Sequence, residues 1–403
     1  MRTRPIAKFA AVGVIGALAL TGCGNSSSSS SGGGLSGGSG GSGSSSGGGK
    51  TYTVAFEGPL TGDNQQLGIN EVYGVQLAVA EANKNPSLGF KVKLLKADDV
   101  GDPSKAPAAA AQVLQNPNVM GVIGPSFSGA TSAVGKIYGK AGLTIVNPSA
   151  SDGSLETLGF ATWHRIFPND FAEGPAAAKW LAKRSKKVYV IDDKSTYGKG
   201  VSDVVRKTLK AQGVQVTSQG VDAKTTDYGP AAQAVKQSGV TALFYGGYDA
   251  QAALFAKALV AAGFTGLRMS GNGVKSTVFT TGAAKAGYGW YFSCGCQDAT
   301  VAPTAKAFTA AYTKMFNTPP STYSPEAYDA TNILIQAIKK AKAAGAVTKA
   351  SVNAQVNKTD YTGITGRIKF QANGDIPPGS GTVNLFEDKN GKIVSLGDIT
   401  KAK

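Results

Sequence analysis

Residues 119–146 read VMGVIGPSFSGATSAVGKIYGKAGLTIV, and this stretch decides the fold. It contains two short apolar runs, Val119–Ile123 and 143–146, with the length and β-branched composition of buried strands. The segment 129–141 between them is long enough for a helix. A strand, a helix and a second strand predict a βαβ unit, whose two strands lie parallel in one sheet.

The same alternation continues on both sides of that stretch. Before it, the pattern predicts strands at 51–56 and 90–97 and helices at 68–84 and 103–115. After it, a second series predicts helices at 172–183, 198–212, 229–237 and 250–262 and strands at 187–191, 214–220 and 242–245. Two such series predict an α/β protein of two doubly wound βαβ lobes, with ligands bound beyond the carboxyl ends of the strands.

The last hundred residues change character. Helices are predicted at 302–316 and 325–342, and antiparallel strands at 366–370, 382–386 and 392–395. The last two strands are joined by a segment that contains Asn390-Gly391, a strong hairpin signal.

The composition is that of a globular protein. The chain has 403 residues, of which 42% are hydrophobic and 16% charged, which excludes a disordered chain, a collagen and a polytopic membrane protein. About 350 residues follow Lys50, more than one hydrophobic core usually serves. The single histidine, His164, argues against His-based triads and multi-His metal sites, and packing in an apolar run explains it.

The net charge of +16 does not form a nucleic-acid patch. Lysine and arginine residues are spread along the chain, and the densest run, 183–187, lies between a predicted helix and a predicted strand. We interpret that run as a solvated helix end. A basic protein also suits an anionic cell envelope.

The N-terminus has the layout of an export signal. Arg2, Arg4 and Lys8 precede a twelve-residue apolar run, 9–20, which is shorter than the ~20 residues of a membrane span. This order of charge and apolarity is typical of a secretory signal peptide, here residues 1–22.

The apolar run ends in Leu20-Thr21-Gly22-Cys23, which resembles the lipobox of bacterial lipoproteins. The resemblance implies cleavage before Cys23 and acylation of its thiol, with chains such as palmitate anchoring the protein on the outer face of the cytoplasmic membrane. An ordinary signal peptide with an incidental cysteine is the alternative. Residues 23–50 are rich in Gly and Ser and are expected to form a flexible tether.

Catalytic motifs are not found. The segment GNGVKS at 271–276 lacks the glycine that precedes the lysine of a phosphate loop, and GPSFS at 124–128 lacks the last glycine of a nucleophile elbow. The acidic pairs at 98–99 and 192–193 follow strands, where adjacent side chains point to opposite faces. We therefore predict a protein that is not an enzyme and needs no cofactor or metal.

Two cysteines remain beyond Cys23. Cys294 and Cys296 are separated by one glycine, and a disulfide, free thiols and a metal site are all compatible with that spacing. An extracytoplasmic location favours the disulfide.

Six short motifs occur in order along the chain: FEGPLTG at 56–62; KADD at 96–99 followed by DP at 102–103; VIGP at 122–125 followed by Ser128; NPSAS at 147–151; Asp193 followed by YGKG at 197–200; and YGGY at 245–248. In this order and spacing the chain resembles the branched-chain amino-acid (Leu/Ile/Val) type of solute-binding proteins of ABC importers, from about Thr51 to the C-terminus.

The resemblance implies a type I periplasmic-binding fold, with two lobes joined by three crossovers and a ligand cleft between them. The crossovers would fall near 166–170, 294–298 and 374–379. Lobe one would comprise 51–168 plus 299–376, and lobe two 169–298 plus 377–403.

The resemblance also implies a set of ligand-binding residues. A ligand carboxylate would be bound by Ser128, at the start of a helix, and by the loop Ser149, Ala150 and Ser151. The free N–H groups and positive end of a helix N-terminus suit an anion at Ser128. Aromatic cleft residues would be Tyr197 and Tyr248, with Phe127 and Tyr323 at wall positions.

Two positions depart from the family pattern. Asn272 stands where amino-acid binders place a carboxylate opposite the ligand's ammonium, and Leu67 stands where a tyrosine is common. A neutral amide cannot neutralise an ammonium in a dry cleft. Either Asp249, beside Tyr248, replaces the acid, or the ligand has no ammonium.

The resemblance thus implies a monomeric, lipid-anchored extracytoplasmic receptor. It would capture a small carboxylate-bearing ligand, an amino acid of the branched-chain type, and deliver it to ABC permease membrane subunits with their ATPases. Two alternatives stay open: a receptor for an aromatic acid or short amide, and a sensing ectodomain that works with a separate transducer.

Overall fold

The computed structural model describes residues 49–402. The strands in this part of the chain are β1 (Thr51–Gly58), β2 (Lys91–Asp98), β3 (Val119–Ile123), β4 (Thr144–Asn147), β5 (Trp163–Arg165), β6 (Lys187–Asp192), β7 (Gln215–Gly220), β8 (Ala242–Gly246), β9 (Leu267–Ser270), β10 (Trp290–Cys294), β11 (Asp360–Gly363), β12 (Gly366–Lys369), β13 (Asn384–Lys389) and β14 (Lys392–Asp398).

The α-helices of the same part are α1 (Gln65–Lys84), α2 (Ala106–Leu114), α3 (Ser128–Lys140), α4 (Asp170–Ala182), α5 (Thr196–Ala211), α6 (Gly229–Gln237), α7 (Asp249–Ala261), α8 (Thr277–Ala283), α9 (Lys306–Phe316), α10 (Ser324–Ala343) and α11 (Lys349–Val356). None of the helices described is both long and apolar enough to cross a membrane.

The strands form two large sheets and one hairpin. The first sheet has the order β2-β1-β3-β4-β5 and is parallel throughout. The second has the order β14-β13-β10-β9-β8-β6-β7 and is parallel except at β13 and β14. In the stretch 119–146, β3 and β4 are parallel neighbours, with Val122 opposite Ile145. The predicted βαβ unit and the α/β class are confirmed.

Both faces of the five-stranded sheet are covered. Val54 and Phe56 point to the face on which α1 and α10 pack, whereas Ala55 points to the face covered by α2 and α3. This alternation follows from the two-residue period of a strand. The seven-stranded sheet is covered in the same way, by α4 and α5 on one face and by α6, α7 and α8 on the other. Each sheet is therefore doubly wound.

The chain passes between the two sheets three times. It leaves the five-stranded sheet after β5, leaves the seven-stranded sheet after β10, and returns to it at β13. The first and third passages are joined by a buried ion pair between Arg165 and Asp375, with Nη2 and Oδ2 2.6 Å apart. Asn169 also donates to this carboxylate, at 2.9 Å. The exact lobe boundaries, 51–168 plus 299–376 and 169–298 plus 377–403, stay a prediction.

Several elements differ from the sequence prediction. Four strands were missed, β5, β9, β10 and β11; each has only three to five residues, which is too short for the sequence pattern alone to distinguish a strand from a loop. Helices α8 and α11 were also missed.

Two predicted helices begin later than their prolines suggest, at Ala106 and Lys306, because a turn and a 3₁₀ turn precede them. The predicted hairpin is confirmed: β13 and β14 pair antiparallel, and Asn390 and Gly391 have φ of 57° and 85°, as a tight hairpin turn requires. The predicted strand 366–370 instead pairs with β11, away from the large sheets.

Candidate ligand-binding cleft

The loops that follow the strands of both sheets converge on one small cavity. Residues after β3, β4, β6, β8 and β9 contribute, as expected for the carboxyl ends of parallel strands. The volume is about 10 Å³, room for about one water molecule. The lining residues are Leu67, Glu71, Ser126, Phe127, Ser128, Ser149, Ser151, Tyr197, Tyr248, Asn272, Gly273 and Tyr323.

Nine of the eleven ligand-binding residues predicted from the sequence line this cavity: Leu67, Phe127, Ser128, Ser149, Ser151, Tyr197, Tyr248, Asn272 and Tyr323. Ala150 does not line it; its carbonyl accepts from Arg165 Nη1 at 2.9 Å. Asp249 does not line it either. Cys23, the signal peptide 1–22 and nearly all of the tether 23–50 lie outside the described residues.

The helix α3 presents an uncapped N-terminus to the cleft. Its N-cap residue is Phe127, whose side chain cannot accept from the first N–H groups, and its first turn contains no acidic residue. Ser128 is the first helical residue rather than the cap, and its hydroxyl accepts from the Asp152 N–H at 3.2 Å. The free N–H groups and the positive end of the helix can therefore attract an anion.

The loop 149–151 is held against α3 by the side chain of Asn147. Its Oδ1 accepts from the backbone N–H groups of Ser149 and Ala150, at 3.0 and 2.7 Å. Its Nδ2 donates to the Pro125 carbonyl at 2.7 Å. The Ser149 hydroxyl donates to the Ser126 carbonyl at 2.8 Å. The buried side-chain amide of Asn147 thus fixes the loop 149–151 against the segment that contains Pro125, just before α3.

Aromatic rings close the other side of the cavity. The rings of Phe127 and Tyr248 stack with centroids 4.2 Å apart, and Tyr197 contacts Tyr248 at 5.4 Å. Phe127 follows β3 of the five-stranded sheet, and Tyr248 follows β8 of the seven-stranded sheet. The stacked rings therefore connect the two sides of the cleft. Tyr197 also accepts a hydrogen bond from the Gly273 N–H at 3.1 Å. The cleft is thus closed and nearly filled by side chains.

Two buried acids that the sequence analysis did not predict adjoin the cleft. Glu71 lies one helical turn after Leu67 on α1 and accepts from the Ser126 hydroxyl at 2.8 Å. Burial raises the pKa of Glu71 to about 8. Glu173, in the first turn of α4, accepts from the backbone N–H and the side-chain Nδ2 of Asn272, at 3.1 and 2.8 Å. The helical spacing of Glu71 from a predicted pocket residue was the available signal; nothing local marked Glu173.

Asp249 is not the missing acid of the cleft. Its two carboxylate oxygens accept from the Ser276 hydroxyl at 2.5 Å and from Asn64 Nδ2 at 2.6 Å. It stands at the start of α7, where the Ala250 N–H also donates to it. The carboxylate is therefore already occupied, and the hypothesis that it faces a ligand ammonium is corrected.

Cys294 and Cys296 are joined as a disulfide at the end of β10, and both are buried. The Gly295 N–H between them donates to Glu173 at 3.3 Å. Within residues 49–402, no group of three or more His, Cys, Asp or Glu side chains is arranged to hold a metal ion.

The chain resembles known solute receptors along most of its length. Residues 51–385 match the family model for periplasmic binding proteins. The Leu/Ile/Val-binding protein BraC3 of Rhizobium johnstonii is 30% identical over 347 residues, which cover 85% of this chain and 93% of the relative. A leucine-, isoleucine-, valine-, threonine- and alanine-binding protein of Pseudomonas aeruginosa is 28% identical, covering 81% and 87%.

Solved structures share the fold. The branched-chain amino-acid transporter substrate-binding protein LivJ of Streptococcus pneumoniae, in complex with isoleucine, superposes with a TM-score of 0.77 at 26% identity, covering 86% of this chain and 100% of that one. The leucine-binding protein LivK of Thermotoga maritima gives a TM-score of 0.79 at 24% identity, covering 85% and 97%. This chain therefore belongs to the periplasmic binding protein family, the non-enzymatic ligand receptors of transporters that include the Leu/Ile/Val-binding proteins.

Proposed function

We propose that this protein is the solute receptor of an ABC importer and that it binds an amino acid of the branched-chain type in the cleft. The observation that carries the proposal is the uncapped N-terminus of α3, which faces the cavity together with Ser128, Ser149 and Ser151. These groups are donors suited to a carboxylate. The relatives named for leucine, isoleucine and valine support the choice of ligand.

Binding proceeds by closure of the two lobes over the ligand. The Phe127–Tyr248 stack and the bond between Asn64 and Asp249 join the two sides in the closed arrangement. The cavity of about 10 Å³ is too small for an amino acid, so the lobes part to admit the ligand and close around it less tightly. The permease membrane subunits, with their ATPases, would recognise the liganded form.

The receptor acts outside the cytoplasm, tethered to the membrane through Cys23. The basic and apolar start of the chain, the Leu20-Thr21-Gly22-Cys23 sequence and the Gly/Ser run after it support this proposal. A tether of ~26 residues has an r.m.s. reach of roughly 30 Å, enough for repeated docking with a membrane partner.

An aromatic acid or a short amide is the second candidate ligand. The neutral Asn272 and the stacked ring pair favour it, because a flat ligand without an ammonium would need no acid in the cavity.

A thermal-shift screen of the full chain, purified from membranes in detergent, decides between these ligands. Leucine, isoleucine and valine are tested beside aromatic acids and short amides. A ligand at 100 times its Kd stabilises the folded state by ~2.7 kcal/mol, a readily visible shift. We expect a shift with the branched-chain amino acids. Shifts with aromatic acids or short amides alone would replace the ligand class, and no shift with any of the compounds would refute the receptor function.

A further inference from the structure

The side chain of Asn272 is held in one orientation by Glu173. Glu173 Oε2 accepts from Asn272 Nδ2 at 2.8 Å, and Oε1 accepts from the Asn272 backbone N–H at 3.1 Å. The second hydrogen of the amide points to the Ser151 hydroxyl, 3.3 Å from Nδ2. Since Glu173 and Ser151 accept from the amide nitrogen, the carbonyl oxygen Oδ1 is the polar group of Asn272 that remains for a ligand in the cavity it lines.

The carboxylate of Glu173 accepts hydrogen bonds from four donor groups. Besides the two groups of Asn272, the Ser293 hydroxyl donates at 2.9 Å and the Gly295 N–H at 3.3 Å. A protonated carboxyl would leave one of these donors without an acceptor in a buried site, so this environment selects the carboxylate.

Asp170, one turn earlier on α4, is also buried and has no comparable set of donors. Burial and the mutual repulsion of the two acids raise the pKa of Asp170 well above its usual range. Burial raises the pKa of Glu173 as well, but the hydrogen bonds from Asn272, Ser293 and Gly295 lower it again. Because Asp170 has no such set of donors, the proton of the pair is favoured on Asp170 and the negative charge on Glu173.

We propose that Glu173 supplies the negative charge for the ammonium of the ligand, and that it does so through Asn272, whose carbonyl it aims into the cleft. Glu173 is then a positioning residue, and Asn272 touches the ligand. The inference rests on the proposed function and narrows the ligand class to α-amino acids. The acid that balances the ligand's ammonium does not line the cavity itself but contacts Asn272, which does.

The other nearby acids do not provide this charge. Asp249 is occupied by Ser276 and Asn64. Glu71 lines the cavity, but burial in the neighbourhood of Asp99 and Glu326 raises its pKa to about 8, which favours the neutral carboxyl at neutral pH.

The pairing explains why position 272 is an amide. An aspartate there would bring a second carboxylate against Glu173, at the place where Nδ2 now donates at 2.8 Å. Asn272→Asp alone is therefore expected to weaken amino-acid binding. The same substitution becomes favourable when Glu173 is made neutral, because E173Q/N272D exchanges the charge and the amide between two neighbouring positions.

The test compares leucine with 4-methyl-2-oxopentanoate, which has the same side chain and carboxylate but no ammonium. Both affinities are measured by calorimetry on the full chain in detergent. The wild type is expected to prefer leucine. E173Q is expected to bind leucine about 10- to 100-fold more weakly, with little change for the oxo acid. E173Q/N272D is expected to recover the preference for leucine.

Two further variants separate the role of Glu173 from a general effect of losing a carboxyl group. Asn272→Ala removes the relay without touching Glu173 and should also abolish the preference for leucine. Glu81→Gln, on α1 outside the cleft, is the control for loss of a carboxyl. If E173Q and N272A fold, as circular dichroism will show, and still prefer leucine, the proposal is overturned. It is also overturned if Glu71→Gln abolishes the preference instead.

Failure of this inference differs from failure of the proposed function. If the wild type binds the oxo acid and leucine with equal affinity, the role of Glu173 is contradicted, but the protein remains a carboxylate receptor. A wild type that binds neither compound contradicts the branched-chain receptor itself.

Discussion

At the scale of single residues, the cleft is built from a few buried polar side chains with fixed partners. Asn147 holds two loops, and Glu173 holds Asn272. The sequence predicted which polar residues reach the cleft, because ordered motifs place them after particular strands. It could not predict the pairing of Glu173 with Asn272, since the two are 99 residues apart and meet only in the folded chain.

Ser151→Ala is expected to weaken binding of a branched-chain amino acid by ~1–3 kcal/mol, because it removes a hydrogen bond to a charged group. Calorimetry on the full chain measures the effect. Ser132→Ala, at an exposed position on α3, is the matched control and should leave affinity unchanged. Equal affinity in both variants would remove Ser151 from the binding site.

Glu71 is expected to make stability depend on pH. Its pKa is about 8 in the folded protein against 4.5 ordinarily, so the stabilisation from its neutral form is complete below pH 4.5 and is lost as the pH rises to 8. Glu71→Gln should therefore gain ~1–4 kcal/mol of unfolding free energy relative to the wild type between pH 5 and pH 8.

Chemical denaturation at both pH values measures this difference, with Glu81→Gln on the same helix as the control. A stability difference between Glu71→Gln and the wild type that is identical at pH 5 and pH 8 would show that Glu71 is not a buried neutral acid.

At the scale of secondary-structure elements, segments that belong to an alternating strand–helix pattern were predictable and isolated short ones were not. In the βαβ unit at 119–146, two short apolar runs flank a segment long enough for a helix. Strand β5 has three residues, and it exists because β4 pairs with it and its last residue, Arg165, forms the buried ion pair with Asp375. Tertiary contacts rather than local preference define such an element.

The passages between the two sheets depend on that ion pair. Asp375→Asn would remove the carboxylate that is paired with the buried Arg165 guanidinium and is expected to cost ~3–5 kcal/mol of unfolding free energy. Denaturant unfolding measures the loss. Asp360→Asn, which breaks an exposed pair with Arg367, is the control and should leave stability unchanged. An equally small effect of both substitutions would show that the Arg165–Asp375 pair does not stabilise the passages.

At the scale of the whole molecule, the fold and the family were predictable from the order of motifs, whereas the lobe boundaries and the anchor stay predictions. Cys23→Ser is expected to release the protein from the membrane, because acylation at Cys23 is the proposed attachment. Fractionation after a salt wash measures it. Cys296→Ser, a cysteine of the folded part, is the control, and membrane retention of the Cys23→Ser protein would contradict lipid anchoring.

The central claim is that a branched-chain amino acid binds in the cleft with its carboxylate at the N-terminus of α3. Isothermal titration calorimetry of the full chain in detergent, with leucine, isoleucine and valine, tests it most directly in wild type, Ser128→Ala and Ser132→Ala. We predict 1:1 binding by the wild type and by Ser132→Ala, and an affinity about tenfold or more lower in Ser128→Ala. No binding of any of the three amino acids by the wild type, or equal affinities in Ser128→Ala and Ser132→Ala, would contradict the claim.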